Sequence, residues 1–292
     1  MNIYKLPITG KDSVVVHSSK TTRGTQVDIV YTPLHGLTCY MNGSLQSSEC
    51  DEKIYHSGLV RPLMGRILPQ TVCIFGGGEG ATAREVLSYT CVTNVKMIDW
   101  DADVVELFKK KYPQWAKGAW QDPRLCIEYS DAFIVCTERK SFDAVIIDLF
   151  DPDDIVPSRW YDFISKVASW AKYGIVIYCG TQQHNTKNIS KTVDTTMKIL
   201  ESSSFNTKVY YRHMPSYREP VCQKTDSCHL SEDKDAISPL LSLLGRDRVR
   251  KPSAFVEEDA VFLIGIRGPL QGSATGPHCC EKFWQWFDAD GI

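Results

Sequence analysis

The sequence predicts an α/β fold, a doubly wound and mainly parallel sheet preceded by a small antiparallel β-unit. Three observations predict it. From Val72 onward, short apolar runs alternate with helical stretches, as in strands that pair in parallel through crossover helices. The first of these units, VCIFGGGEGATAREVL, joins a buried-strand run, a glycine turn and a helix start. Before it, residues 1–51 are rich in β-formers broken by turn residues.

Within that leading segment, SVVVHSS, TQVDIVYT and LTCYMNG read as strands, with hairpins near Thr22–Gly24 and Leu34–Gly36. The last strand runs into SLQSSECDEKIYHSGLVRPLM. This stretch turns helical from Asp51, with Ile54, Leu59 and Leu63 apolar and Tyr55 and His56 beside them. The expected boundary therefore separates a β-domain, 1–51, from a larger α/β domain, 52–292.

Val72–Phe75 is apolar enough for a buried parallel strand. Gly76, Gly77, Gly78 and Gly80 then form a turn that residues with a Cβ resist, because several φ values there are expected to be positive. A helix follows over Ala81–Tyr89, with Ala83, Val86 and Leu87 at helical spacing. The later strands are VKMID, LCIEYS, DAVIID, GIVIYC, KVYYRH and AVFLIGI. Helices are expected at Asp103–Lys111, near Phe133, at Ser158–Lys172 and at Ile189–Ser203. From Glu219 to Asp259 the pattern lapses: prolines, the charged run GRDRVRK and one short helix, SPLLSLLG, read as an inserted loop. The aromatic tail EKFWQWFDADGI is expected to pack on the domain or meet a second subunit.

Composition bounds the function. The 292 residues are 43% hydrophobic and 23% charged, which is ordinary for a globular chain with a substantial core. Lys plus Arg at 33 against Asp plus Glu at 35 leaves a net charge of −2, without the basic excess of a nucleic-acid protein. No run reads as a signal peptide or a membrane span, so the expectation is a soluble, cytoplasmic protein with no membrane partner. Of the eleven cysteines, Cys73, Cys126 and Cys179 sit in apolar runs and read as reduced core residues. The group Cys222, Cys228, His229, His278, Cys279 and Cys280 lacks the paired short gaps of a zinc module, so no metal is expected.

The chemistry lies at the carboxyl ends of the strands, where doubly wound sheets bind ligands. Glu79, Asp99, Asp131, Asp148 and Asp151 all fall there, and five acids aimed at one crevice point to a cationic ligand. Asp99, twenty residues after Glu79, stands where a second-strand carboxylate accepts hydrogen bonds from ribose hydroxyls. The alternative is a helix N-cap at Asp99 or Asp101. The glycine loop upstream favours the ribose role.

Six segments in one order resemble the polyamine aminopropyltransferases, the spermidine, spermine and thermospermine synthases. They are MNGSLQSSECDEKIYHSGLVRP, GGGEGATAREVL, IDWDADVVEL, DPRLCIEYSDAF, FDAVIIDLFDP and MPSY. The Glu of GGGEG and the form DLFDP are most similar to thermospermine synthases. The resemblance implies a methyltransferase-like Rossmann sheet, a small N-terminal β-domain and a homodimer. It implies decarboxylated S-adenosylmethionine as donor co-substrate, with no permanently bound cofactor, and a polyamine as acceptor. On the donor side it implies Gln46, Gly76, Gly78, Glu79, Gly80, Asp99, Asp131 and Ala132. Glu79 would take the donor ammonium, Asp99 the ribose and Asp131 the adenine amine. On the acceptor side it implies Tyr55, His56, Asp148, Asp151 and Tyr217. Asp148 would hold and deprotonate the attacking amine, while Tyr55, Asp151 and Tyr217 orient it. The chain departs from the family at Ser57, where Glu is usual, and at Cys179, where Gln is usual and Gln182 or Gln183 stands nearby. Competing readings are a spermidine synthase acting on putrescine, an S-adenosylmethionine-dependent N-methyltransferase, and a silent polyamine-binding homologue.

Overall fold

In the computed structural model, residues 13–137, 140–183, 189–220 and 255–268 are described. The chain opens with β1 (Val14–Lys20), β2 (Gln26–Thr32), β3 (Gly36–Met41) and β4 (Ser44–Ser48), a four-stranded antiparallel meander. The β3–β4 turn is Asn42–Gly43, both at positive φ (50° and 82°), the residue pair that tight hairpins favour. The two earlier hairpin turns fall where the sequence places them. This sheet does not stand alone: Val27, Ile29 and Cys39 share a buried cluster with Val104, Phe108 and Trp115.

Helix α1 (Glu52–Ile67) begins immediately after Asp51, as expected, with Leu59 and Leu63 fully buried. Ile54 is 42% exposed, because the buried face of α1 is set by Leu59, Val60, Leu63 and Met64.

The large sheet runs β10-β11-β9-β8-β5-β6-β7. Its strands are β5 (Thr71–Gly76), β6 (Asn94–Asp99), β7 (Leu125–Tyr129), β8 (Phe142–Asp148), β9 (Ala171–Gln183), β10 (Asn206–Pro220) and β11 (Phe255–Ile266). Strands β5 to β9 pair in parallel, whereas β11 is antiparallel to both β9 and β10. The crossover helices are α2 (Ala81–Leu87), α3 (Ala102–Lys111), α4 (Ala132–Val135), α5 (Pro157–Ala168) and α6 (Lys191–Ser202). Alternation along β5 sends Val72 and Ile74 into one core layer, with Leu59 and Val86, and Cys73 and Phe75 into the other, with Trp160 and Phe163. Helix α5 buries Trp160, Phe163, Ile164 and Val167 at helical spacing and ends before the expected Lys172, because Ala171 already begins β9.

Two further readings change. Residues 219–220 and 255–259 belong to strands β10 and β11, so the expected loop does not extend over them. SPLLSLLG, GRDRVRK, the C-terminal Cys/His group and the aromatic tail lie outside the described residues. Cys73 and Cys179 are buried, but Cys126 is exposed on β7, an edge strand. Among the described residues no helix is long and apolar enough to cross a membrane, and no cluster of ligating side chains could hold a metal.

Strand order places the ligand crevice. β5 pairs with β6 on one side and β8 on the other, so the chain reverses direction across the sheet at β5. The crevice opens at such a switch point, beyond the carboxyl ends of the strands.

Candidate active site

A cavity of about 630 Å³ occupies that crevice. All five strand-end acids, Glu79, Asp99, Asp131, Asp148 and Asp151, line it. The glycine turn makes room for them. Gly76 (φ 85°) passes so close to β8 that a Cβ there would lie 1.9 Å from the Asp148 carbonyl oxygen. A Cβ on Gly78 would fall 2.9 Å from Asp99 Oδ2.

Asp148 ends β8 with both carboxylate oxygens occupied. The Tyr55 hydroxyl donates to Oδ1 at 2.9 Å, and the Thr82 hydroxyl donates to Oδ2. Burial and the neighbouring Asp148 charge push the Tyr55 phenol well above its ordinary range, so it stays a donor. Tyr178 packs edge-on against Tyr55 at 5.5 Å and completes an aromatic wall with Tyr217.

Asp99 ends β6. Its carboxylate accepts the Asp101 N–H at 2.9 Å and the Gly78 N–H. Burial outweighs these bonds and pushes its pKa up to about 6, with Asp101 and Asp148 adding to the rise. The helix cap belongs to Asp101, whose side chain accepts from the Asp103 and Val104 N–H groups. Asp99 is therefore left to face the cavity.

Glu79 is paired: His56 Nε2 lies 2.7 Å from its Oε1. His56 is buried, and burial alone would lower its pKa. The Glu79 charge and bonds to Glu52 and Glu79 override that and push it up to about 10. Glu52 in turn meets Arg84 at 2.8 Å. Burial would raise its carboxyl, but His56 and Arg84 hold it down at about 2.

Asp131 caps α4 by accepting the Phe133 N–H at 2.8 Å, and Arg159 approaches it at 3.5 Å. Ala132 lines the cavity beside it. Asp151 accepts the N–H groups of Asp153 (2.9 Å) and Thr181, and burial raises its pKa. It fits only because residue 180 is glycine, where a Cβ would sit 2.1 Å from its Oδ2. Gln46 lines the cavity from β4, with its amide turned to the Ser44 and Leu45 carbonyls at 3.3 and 3.2 Å.

Gly80 is not among the residues lining the cavity; it starts α2 at φ 82°, and a Cβ there would lie 2.3 Å from the Trp120 ring. Its part is to let the helix begin beneath Trp120. Neither Ser57 nor Cys179 reaches the cavity lining. The Ser57 hydroxyl donates to the Ile54 carbonyl at 3.2 Å, and Cys179 points into the core, so β9 presents Tyr178 instead. Gln182 and Gln183 are likewise absent from the lining.

Tyr217 reaches the cavity through a device the sequence did not disclose. β10 shifts register between His213 and Arg218, and the buried Asp51 accepts both the N–H (2.7 Å) and the hydroxyl (3.0 Å) of Ser216. The start of α1 thus pins the bulge that carries Tyr217. Thr82, Tyr178 and Trp100 were also missed; each lies within or beside a motif, yet carries no spacing signal of its own.

Residues 51–227 match the spermine/spermidine synthase domain. The polyamine aminopropyltransferase of Pyrobaculum aerophilum is 35% identical over 225 residues, 72% of this chain and 76% of the relative. That of Sulfurisphaera tokodaii is 38% identical over 175 residues, 58% of each chain. Among solved structures, a spermidine synthase in complex with a transition-state analogue superposes with a TM-score of 0.63 at 22% identity, covering 87% of this chain and 74% of the other. The spermidine synthase of Thermotoga maritima gives 0.61 at 21%, covering 87% and 73%. These two likenesses bear on the fold, an α/β sheet with an N-terminal antiparallel sheet, whereas the sequence matches carry the family: this chain belongs to the spermine/spermidine synthase family of aminopropyltransferase enzymes.

Proposed function

We propose that the chain moves the aminopropyl group of decarboxylated S-adenosylmethionine to a polyamine, releasing methylthioadenosine. The observation that carries this reading is the charge of the cavity. Among the described residues, seven carboxylates line it against one arginine and one histidine, each already paired with an acid. A sulfonium bearing an ammonium and a polycationic acceptor both suit such a wall, and charge-assisted hydrogen bonds are about twice as strong as neutral ones.

Atoms and electrons balance simply. The amine nitrogen forms a bond to the methylene carbon beside the sulfonium, the carbon–sulfur bond breaks, and sulfur keeps the pair as a neutral thioether. The nitrogen ends as an ammonium, the proton of the original substrate ammonium having gone to solvent before the attack. Gly76 and Gly78 leave space for the nucleoside, Asp99 and Asp131 bind its ribose and base, and Glu79 faces the donor ammonium. Asp148 aligns the attacking amine, with Tyr55, Asp151 and Tyr217 around it. An ammonium has no free lone pair to attack with, so on this reading the amine reaches Asp148 already neutral.

The proposed acceptor is a triamine or longer, on the strength of GGGEG and DLFDP. A homodimer belongs to the same reading through the resemblance. Incubation with decarboxylated or intact S-adenosylmethionine, and with putrescine or spermidine, followed by mass analysis, tests it. Methylthioadenosine and an aminopropylated amine are expected; a methylated amine instead would make the chain a methyltransferase, and faster turnover of putrescine than spermidine would overturn the triamine.

A further inference from the structure

The clamp on Asp148 has two jaws, and one of them is Thr82, a residue to which neither the sequence nor the resemblance gives a role. We infer that Thr82 is a positioning residue that holds the Asp148 carboxylate in one orientation. The inference deepens the aminopropyl-transfer reading and rests on it.

Thr82 stands in the first turn of α2 and is fully buried. Its hydroxyl donates to Asp148 Oδ2 while Tyr55 donates to Oδ1. The juxtaposition comes from tertiary structure: Gly76 lets the end of β8 press against the glycine turn, which brings the start of α2 within reach of Asp148. A carboxylate offers about four lone-pair sites, so two permanent donors leave about two for an amine. A carboxylate held in this way presents its remaining lone pairs in one direction. Tyr55 alone would leave it free to turn about its Cβ–Cγ bond.

The groups that also face Asp148 are Tyr55 and His56 from α1, Asp99 from β6, Tyr178 from β9 and Tyr217 from β10. Thr82 does not titrate, so removing its hydroxyl leaves all of these in place and alters only the clamp.

The test compares Thr82→Val and Thr82→Ser with the unaltered protein. Turnover is measured at saturating decarboxylated donor, and methylthioadenosine binding by calorimetry. Thr82→Val should lower kcat roughly ten-fold or more, the order expected for one hydrogen bond to a charged group. It should leave methylthioadenosine affinity within about two-fold. Thr82→Ser should restore kcat. If Thr82→Val does not fold, as judged by lost nucleoside binding, Thr82→Ala against Thr82→Ser decides the same question. An unchanged kcat in Thr82→Val would overturn the inference, and so would equal losses in Val and Ser, since the hydroxyl would then not be what matters. Failure of the unaltered protein to transfer an aminopropyl group would instead sink the underlying reading.

Discussion

His56 Nε2 lies 2.7 Å from Glu79 Oε1, and this contact closes a ladder of charges from the surface to the cavity. Arg61, half-exposed, meets Glu85 at 3.0 Å; Glu85 meets Arg84 at 3.2 Å; Arg84 meets Glu52 at 2.8 Å; Glu52 meets His56 at 3.5 Å. Positive and negative groups alternate, so each buried charge has a partner on either side, and the last carboxylate faces the cavity. α1 and α2 are thereby joined through their charged faces.

The ladder predicts a pH-dependent stability. The His56 pKa is raised in the fold from 6.5 to about 10, so its contribution is complete below pH 6.5 and is lost as pH rises through about 10. The melting temperature should therefore fall across that window. His56→Gln should lower it at pH 7 and flatten the decline. Parallel curves for the two proteins between pH 7 and 10 would show that His56 is not charged in the fold.

Asp99 predicts the opposite edge. Its carboxyl is raised to about 6, and ribose hydroxyls bind best to the ionised form. Methylthioadenosine affinity should weaken as pH falls through about 6, read by calorimetry. Asp99→Asn should cost roughly ten-fold in affinity and remove most of that pH dependence, with kcat at saturating donor little changed.

Asp148→Asn should divide the two functions the other way. With the aligning charge gone, turnover should fall roughly 100-fold or more while methylthioadenosine binding changes little. Near-normal turnover at every pH would remove Asp148 from the chemistry.

Donor choice follows from the pairing of the cations. The carboxylate of intact S-adenosylmethionine would meet Glu79, Asp148 and Asp151, while His56 and Arg159 are already engaged. An unpaired like-charge contact in such a site costs on the order of a few kcal/mol. Calorimetry should show clearly weaker binding than for the decarboxylated donor; equal affinities would contradict this account of the cavity.

The order of elements, and the edge of the sheet at which the chemistry gathers, are written in the local sequence. Apolar runs such as VCIF and AVIID can only be buried strands, GGGEG can only be a turn, and acids that follow such strands must emerge at one rim. These are local facts, legible over a few residues. Which side chains meet is a matter of packing. Thr82 and Asp148 lie 66 positions apart, and Asp51 and Ser216 lie 165 apart. No periodicity links such pairs, because their meeting depends on the packing of α1 and α2 against the sheet and on a bulge in β10. The same reason moved Gly80 beneath Trp120 and turned Cys179 inward while Tyr178 took its place on the wall. A strand's residues alternate faces, and only the neighbouring strands and helices say which face is the cavity.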